Sequence, residues 1–162
     1  MNKIFLCTLI FLASCQEDFS KQIQLLSDWN ITYNGKTYSV SVPGNNVSDL
    51  LEYQLIPEPY VGTNEDSILW IYNRDWVYST SFDLSKKSIH HSNKELVFKG
   101  LDTYANVYLN DSLILKADNM FRQWKVDVSS LLHSTNNSLE VRFLSVDSIE
   151  NLKIQNLGYD LP

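Results

Sequence analysis

Apolar and polar residues alternate along much of this chain, most regularly between residues 96 and 132. A period of two places successive side chains on opposite faces of an extended backbone, so each alternating run predicts a strand with one buried side. The apolar positions of these runs are Leu96, Phe98, Ala105, Val107, Leu109, Leu113, Leu115, Trp124, Val126 and Val128. Asn110-Asp111 separates two runs and predicts a hairpin turn, because both residues tolerate left-handed backbone angles.

The same alternation predicts strands on both sides of this region. Residues 29–33 and 37–42 flank Asn34-Gly35, a strong signal for a two-residue hairpin. Two further runs, 76–84 and 139–143, carry apolar residues at every second position. About eight strands without an internal repeat predict an all-β fold, an antiparallel β-sandwich of the Greek-key or jelly-roll kind.

One or two short helices complete the predicted fold. Residues 47–53 predict a helix with Asn46 as its N-cap, and residues 147–157 show a weaker helical period. The segment from Ile56 to Ser67 predicts an ordered loop, because its two prolines cannot continue a helix. Residues 85–94 predict a polar connection without regular structure.

Composition limits the function classes that need consideration. A chain of 162 residues with 44% hydrophobic and 12% aromatic residues suits one globular domain. The formal net charge of −6 and the lack of a basic run argue against nucleic acid as a partner. The five glycines are scattered and form no phosphate-binding loop, so no cofactor is predicted.

The first fifteen residues predict a leader rather than part of the fold. Lys3 provides a positive head, and residues 4–12 form an apolar core too short to span a bilayer. Leu12-Ala13-Ser14-Cys15 then resembles the lipobox cut by the bacterial lipoprotein signal peptidase, which makes Cys15 the predicted lipid attachment site. The alternative is an ordinary secretory signal.

This interpretation gives three segments and a location. Residues 1–15 are the signal peptide, residues 16–26 a tether, and residues 27–162 the sandwich. Acyl chains on Cys15 would attach the domain to the bacterial cell envelope, on the periplasmic or outer-membrane side, whereas an ordinary signal would give a secreted protein.

The mature fold would contain no cysteine, since Cys7 lies in the leader and Cys15 at the lipid site. No disulfide or thiol nucleophile is therefore predicted. The histidines are His90, His91 and His133. Adjacent residues on a strand point apart and no acidic cluster accompanies them, so no metal site is predicted.

Five ordered blocks of the sequence carry a family resemblance. They are VPGNNVSDLLEYQLIPEPYVGTNE (42–65), LWIYNRDWVYSTSFDL (69–84), GLDTYANVYLND (100–111), ADNMFRQWKVDVSSLL (117–132) and NSLEVRFLSV (137–146). Together they resemble the N-terminal, galactose-binding-like β-sandwich of β-mannosidases in glycoside hydrolase family 2. One departure is Asp111, where the family commonly has glycine.

The resemblance implies a role in carbohydrate catabolism without catalysis by this chain. The parent enzyme would be a retaining exoglycosidase that releases terminal β-D-mannose, with β-mannosides as its glycan substrate. Its two catalytic glutamates lie on a (β/α)8 barrel, so no catalytic residue is expected here and the fragment alone is expected to be inactive. The resemblance also implies that the sandwich lacks its last strand segment and that the chain is a fragment.

Few side chains are candidates for contact with substrate. The resemblance implies that Asn64, in the loop 60–65, reaches toward the sugar pocket, and its amide could both donate to and accept from hydroxyl groups. The alternative is a loop stabilised by the Asn64 side chain itself. Trp124 shares a face with Val126 and is predicted to be core, while Met120-Phe121 either plug the domain or face a neighbouring one.

Two other functions stay open at this point. The domain could be a carbohydrate-binding module that recognises glycans by itself, in which case it would present coplanar exposed aromatic side chains. It could also belong to an enzyme of the same glycoside hydrolase family with another specificity, since these enzymes share the sandwich.

Overall fold

The computed structural model describes residue 24 and residues 26–157, and the predicted leader with Cys15 lies outside them. Within this part the chain forms eight strands: β1 (Trp29–Tyr33), β2 (Lys36–Val40), β3 (Trp76–Phe82), β4 (Glu95–Phe98), β5 (Ala105–Leu109), β6 (Ser112–Ala117), β7 (Trp124–Asp127) and β8 (Asn137–Phe143). The helical segments are α1 (Asn46–Glu52), α2 (Asn64–Ser67), a 3-10 turn (Leu69–Ile71), α3 (Lys86–Ile89) and α4 (Val146–Leu157).

The strands form two antiparallel sheets, which confirms the predicted all-β architecture. The larger sheet has the order β2-β1-β3-β8-β5-β6, and β4 pairs with β7 in the smaller one. Trp76 of β3 lies opposite Phe143 of β8, Phe143 opposite Ala105 of β5, and Ala105 opposite Ala117 of β6. The start of β3 and the end of β6 therefore lie at the same end of the sandwich.

The core follows from the alternation in the sequence. In β3, β5 and β8 every second residue is buried, except that Phe82 and Phe143 at the strand ends are half-buried. Val107, Leu109 and Leu139 are almost completely inaccessible. Leu50 of α1 and Ile71 of the 3-10 turn are buried in the same cluster. Each such aliphatic side chain stabilises the fold by about 1.5–3 kcal/mol through its burial.

Both predicted hairpins are present. Asn34 and Gly35 have φ angles of 49° and 72° between β1 and β2, and Asn110 and Asp111 have φ angles of 47° and 64° between β5 and β6. Two consecutive positive φ angles give the backbone a twist that matches that of the flanking strands.

Two details of the predicted elements are wrong. The N-cap of α1 is Asn45, whose side chain accepts a hydrogen bond from the Ser48 amide at 2.9 Å, and Asn46 is the first helical residue. Leu113 does not share the buried face of Leu115, because a register shift between Val107 and Tyr108 changes the pairing of β5 with β6. The side chain of Leu113 is consequently 46% exposed.

Two segments predicted as loops contain single helical turns. Helix α2 lies within the first loop, and α3 follows Ser85, whose hydroxyl group accepts a hydrogen bond from the Ser88 amide at 3.1 Å. Turns of four residues are too short to produce a helical period in the sequence. Among the described residues, no helix has the length and apolar character that crossing a bilayer requires.

Candidate functional site

Hydrogen bonds of Asn64 hold together the loop 60–65, in which Asn64 was predicted to reach toward a sugar. Its Nδ2 donates to the Glu58 carbonyl at 2.8 Å, and its backbone amide donates to the Val61 carbonyl at 3.2 Å. The Ser67 hydroxyl in turn donates to the Asn64 carbonyl at 2.7 Å. These bonds join the prolines of the loop to helix α2 and hold the Asn64 side chain half-buried.

The side-chain oxygen of Asn64 is the atom that remains available to accept a hydrogen bond. None of the described residues donates a hydrogen bond to Asn64 Oδ1. Beside it, Tyr60 is 95% exposed, and Gly62 adopts a φ of 59° that favours glycine. The loop therefore presents one amide oxygen and one tyrosine ring to its surroundings while its backbone is held by internal bonds.

The tryptophans of the 3-10 turn, β3 and β7 are part of the packing, as predicted. Trp76 is buried, Trp70 and Trp124 pack partly buried against the core, and Trp76 Nε1 donates to the Ile71 carbonyl at 2.9 Å. Among the described residues Trp124 Nε1 is a buried donor without an acceptor. The Arg122 guanidinium lies 4.9 Å from the centre of the Trp124 ring.

The contacts of an arginine just before β3 with three aromatic rings were not predicted from the sequence. The guanidinium of Arg74 lies 5.0 Å from the ring centre of Tyr33, 5.6 Å from that of Trp70 and 4.9 Å from that of Trp76. The rings of Tyr33 and Trp70 are stacked at 5.6 Å. The spacing Arg-x-Trp, which occurs at both 74–76 and 122–124, is the signal that could have revealed this arrangement.

Asp49 is the buried carboxylate of the described part of the chain. It accepts a hydrogen bond of 2.7 Å from the hydroxyl group of Tyr78. Burial raises the pKa of Asp49, the Tyr78 bond lowers it, and Glu52 raises it, with a net increase. Because the pair joins α1 to β3 inside the fold, it is suited to a structural role.

Two clefts of the domain are lined by residues outside the loop that contains Asn64. One polar cleft of about 260 Å³ is lined by Gln24, Leu26, Ser27, Asp28, Ser81, Phe82 and Asp83. A smaller depression of about 140 Å³ on the outer face of the large sheet is lined by Tyr108, Asp111, Ser138, Glu140 and Arg142. Across residues 26–157 no three histidine, cysteine or acidic side chains come together as metal ligands could.

The fold and sequence match a known class of sugar-enzyme domain. A family model described as glycosyl hydrolase 2 galactose-binding domain-like matches residues 29–162. The β-mannosidase of Capra hircus is 35% identical over 143 residues, which are 85% of this chain and 16% of that protein. The crystal structure of β-D-mannosidase from Dictyoglomus thermophilum superimposes with a TM-score of 0.80 at 35% identity, covering 85% of this chain and 17% of that one.

Other enzymes share the fold at lower identity. The β-glucuronidase of Ruminococcus gnavus in complex with D-glucaro 1,5-lactone superimposes with a TM-score of 0.54 at 18% identity. The superposition covers 75% of this chain and 21% of that one. At this identity the likeness shows the fold alone. The two sheets thus define a galactose-binding-like β-sandwich.

The chain belongs to the glycosyl hydrolase 2 galactose-binding-like domain family, and β-mannosidases are among its relatives. This confirms the resemblance seen in the sequence. The chain spans 16% of the Capra hircus β-mannosidase and 17% of the Dictyoglomus thermophilum enzyme.

Proposed function

We propose that this chain is the non-catalytic N-terminal sandwich of a β-mannosidase-like retaining exoglycosidase that hydrolyses terminal β-D-mannose. The observation that carries the proposal is the TM-score of 0.80 at 35% identity to a β-D-mannosidase, against 0.54 at 18% identity to a β-glucuronidase. Retaining hydrolysis needs two carboxyl groups about 5–5.5 Å apart, and the proposal assigns both to another domain of the same protein.

The protein encoded by the complete gene provides the test of specificity. We expect it to hydrolyse 4-nitrophenyl β-D-mannoside at least about tenfold more efficiently than the corresponding β-glucuronide, β-galactoside and β-glucosaminide, since one well-placed contact is worth this factor. Addition of methanol should yield methyl β-D-mannoside, the product of retention. A preference for another glycoside would replace the mannosidase proposal with another specificity of the same family.

Within this function, Asn64 is proposed to contact the substrate. Support comes from Asn64 Oδ1, which accepts no hydrogen bond from any described residue. It also comes from the hydrogen bond to the Glu58 carbonyl that holds Asn64 Nδ2 in place. An amide oxygen accepts hydrogen bonds from sugar hydroxyl groups, and a side chain already ordered by its own loop loses little entropy on binding.

A carbohydrate-binding module that acts alone is a second candidate, and the exposure of Tyr60 favours it. Aromatic rings on protein surfaces stack on the apolar faces of sugars. Titration of the purified chain with manno-oligosaccharides distinguishes a binding module from a scaffold. The binding is monitored through Tyr60 resonances or tyrosine fluorescence. Saturable shifts that are lost in Tyr60→Ala would support the module, and their absence would support the scaffold.

Lipid attachment at Cys15 is proposed together with residues 1–15 as signal peptide, residues 16–26 as tether and residues 27–162 as the sandwich. The lipobox-like sequence Leu12 to Cys15 supports it. Expression in a bacterium with labelled palmitate should label the protein and place it in the cell envelope. The variant Cys15→Ser should lose the label, and an unlabelled wild-type protein in the medium would indicate an ordinary secretory signal.

A further inference from the structure

The two β-hairpins share one kind of turn but hold their asparagines differently. In the first hairpin, between β1 and β2, Asn34 and Gly35 have φ angles of 49° and 72°. In the second hairpin, between β5 and β6, Asn110 and Asp111 have φ angles of 47° and 64°. Each asparagine therefore occupies the first of two left-handed positions. The hydrogen bonds of the two carboxamide groups and the residues that follow them are what differs.

Hydrogen bonds fix the side chain of Asn110. Its Nδ2 donates to the Leu131 carbonyl at 2.8 Å and to Asn137 Oδ1 at 3.1 Å, and its Oδ1 accepts from the Ser138 amide at 2.9 Å. The backbone amide of Asn110 also donates to the Ser138 carbonyl at 2.9 Å. The carboxamide group can change its orientation only when these bonds open locally.

The carboxamide group of Asn34 is not held in this way. Asn34 and Gly35 are both exposed, and none of the described residues forms a hydrogen bond with the Asn34 side chain or with the Gly35 amide. A Cβ atom on Gly35 would meet no atom within 4 Å, so the space around this turn is open. Glycine also has no side chain that could hinder the approach of the carboxamide to its nitrogen.

An asparagine that precedes glycine can react with the next peptide group. The nitrogen of Gly35 attacks Cγ of Asn34, a C–N bond forms, and Nδ2 takes up the Gly35 amide proton and leaves as ammonia. The product is a succinimide ring, which water opens at one of its two carbonyl groups. Cleavage of the new bond gives aspartate, and cleavage of the original peptide bond gives isoaspartate. The reaction consumes water, releases ammonia and needs no cofactor or oxidant.

We propose that Asn34 is a site of spontaneous deamidation and isoaspartate formation, and that the hydrogen bonds of Asn110 protect the matching position of the second hairpin. The two turns have similar φ angles, so backbone conformation does not distinguish the sites. The carboxamide without a partner among the described residues and the glycine that follows it favour reaction in the first hairpin.

Reaction at this turn would affect the packing beside it. Tyr33 directly precedes Asn34 and pairs with Lys36 across the turn. Its ring stacks on Trp70 at 5.6 Å and on Trp76 at 5.8 Å. Isoaspartate adds a methylene group to the main chain, so a two-residue turn no longer fits the register of β1 with β2. Aspartate keeps the main chain unchanged and adds one negative charge on the surface.

Peptide mass spectrometry of the purified chain, aged in warm and mildly alkaline buffer, tests the proposal. We expect the peptide with Asn34 to deamidate at least about tenfold faster than the peptide with Asn110, because reaction of Asn110 requires local opening. Electron-transfer fragmentation should show isoaspartate and aspartate at position 34. Equal rates at the two sites in the folded chain would overturn the proposal. So would an Asn34 that stays intact while the same chain deamidates there in urea.

Two substitutions separate the effect of the following residue from that of the hydrogen bonds. Gly35→Ala should slow deamidation of Asn34, because a methyl group then hinders the attack. Asp111→Gly gives Asn110 the same following residue as Asn34 while leaving the side-chain bonds of Asn110 in place. We expect Asn110 in this variant to remain at least about tenfold slower than Asn34, since its bonds must still open. Equal rates at the two sites in Asp111→Gly would overturn the protective role of the bonds.

Discussion

The hydroxyl group of Tyr78 donates a hydrogen bond of 2.7 Å to Asp49 Oδ2, and this bond joins helix α1 to strand β3 inside the sandwich. Both residues are buried, at 8% and 5% exposure. Burial and the bond to Asp49 raise the pKa of Tyr78, so the phenol remains protonated and acts as the donor. The pair is a buried polar connection between two elements that both contribute to the core.

Removing the hydroxyl group should destabilise the fold. Tyr78→Phe leaves Asp49 buried without its donor, which is expected to lower the free energy of unfolding by about 1–3 kcal/mol at neutral pH. Tyr53→Phe is the matched control: its hydroxyl group bonds the Ser39 carbonyl at 2.7 Å, but the residue is exposed. Urea denaturation of both variants measures the difference, and equal losses would contradict a special role for the buried pair.

The Asp49 carboxyl group should make folding stability depend on pH. Burial raises its folded-state pKa above the ordinary value of 3.8. The folded state therefore holds the proton more tightly than the unfolded state, so this stabilising contribution is complete below the ordinary pKa and is lost as pH rises through the folded-state pKa.

Asp49→Asn isolates that effect. We expect the free energy of unfolding of the wild type, relative to this variant, to fall as the pH rises from about 4 to about 7. Urea denaturation across this range provides the measurement. A difference between the two proteins that stays constant with pH would show that Asp49 titrates alike in the folded and unfolded states.

Exchanging aspartate and glycine should change the stability of the domain in opposite directions in the two hairpins. Asp111 has a φ of 64°, where glycine is less strained, so Asp111→Gly is expected to stabilise the domain by about 0.5–1 kcal/mol. Gly35→Asp in the first hairpin is expected to destabilise by a similar amount, because a φ of 72° strains a residue that carries a Cβ. No steric clash adds to this cost, since the Cβ would meet no atom within 4 Å. Thermal unfolding would contradict this account if both changes shifted stability in the same direction.

Asn137 should tolerate substitution poorly. Its side chain is completely buried, donates to the carbonyl groups of His133 and Phe82, and accepts from the His133 amide and from Asn110 Nδ2. Asn137→Asp removes both donors and is expected to cost about 3 kcal/mol or more. Asn156→Asp on the exposed surface of α4 is the control, expected within about 0.5 kcal/mol of wild type by urea denaturation.

Asn64 should affect catalysis in the proposed β-mannosidase-like enzyme more than its loop bonds alone can explain. Asn64→Ala is expected to lower kcat/KM for an aryl β-mannoside about tenfold, the value of one hydrogen bond. Ser67→Ala removes another bond of the same loop without changing the Asn64 amide, and should change kcat/KM less than about twofold. Equal effects of the two substitutions on kcat/KM would show that Asn64 only stabilises its loop.

Strand positions and buried faces were predictable because burial on one side of a sheet imposes a period of two. The face of Leu113 was not, since a register shift depends on pairing between strands rather than on one strand's sequence. The hydrogen bond from Asn64 to Glu58 likewise joins residues whose contact depends on the fold. The same is true of the contacts between Arg74 and the rings of Tyr33, Trp70 and Trp76. Leu101 and Ile68 are buried outside regular strands, where no period marks them.

Side-by-side assay of the isolated chain and of the protein encoded by the complete gene tests the central claim most directly. With 4-nitrophenyl β-D-mannoside, we expect the longer protein to release nitrophenol and the isolated chain to release none above the uncatalysed blank. Saturable, heat-sensitive turnover by the isolated chain would contradict a scaffold without catalytic residues.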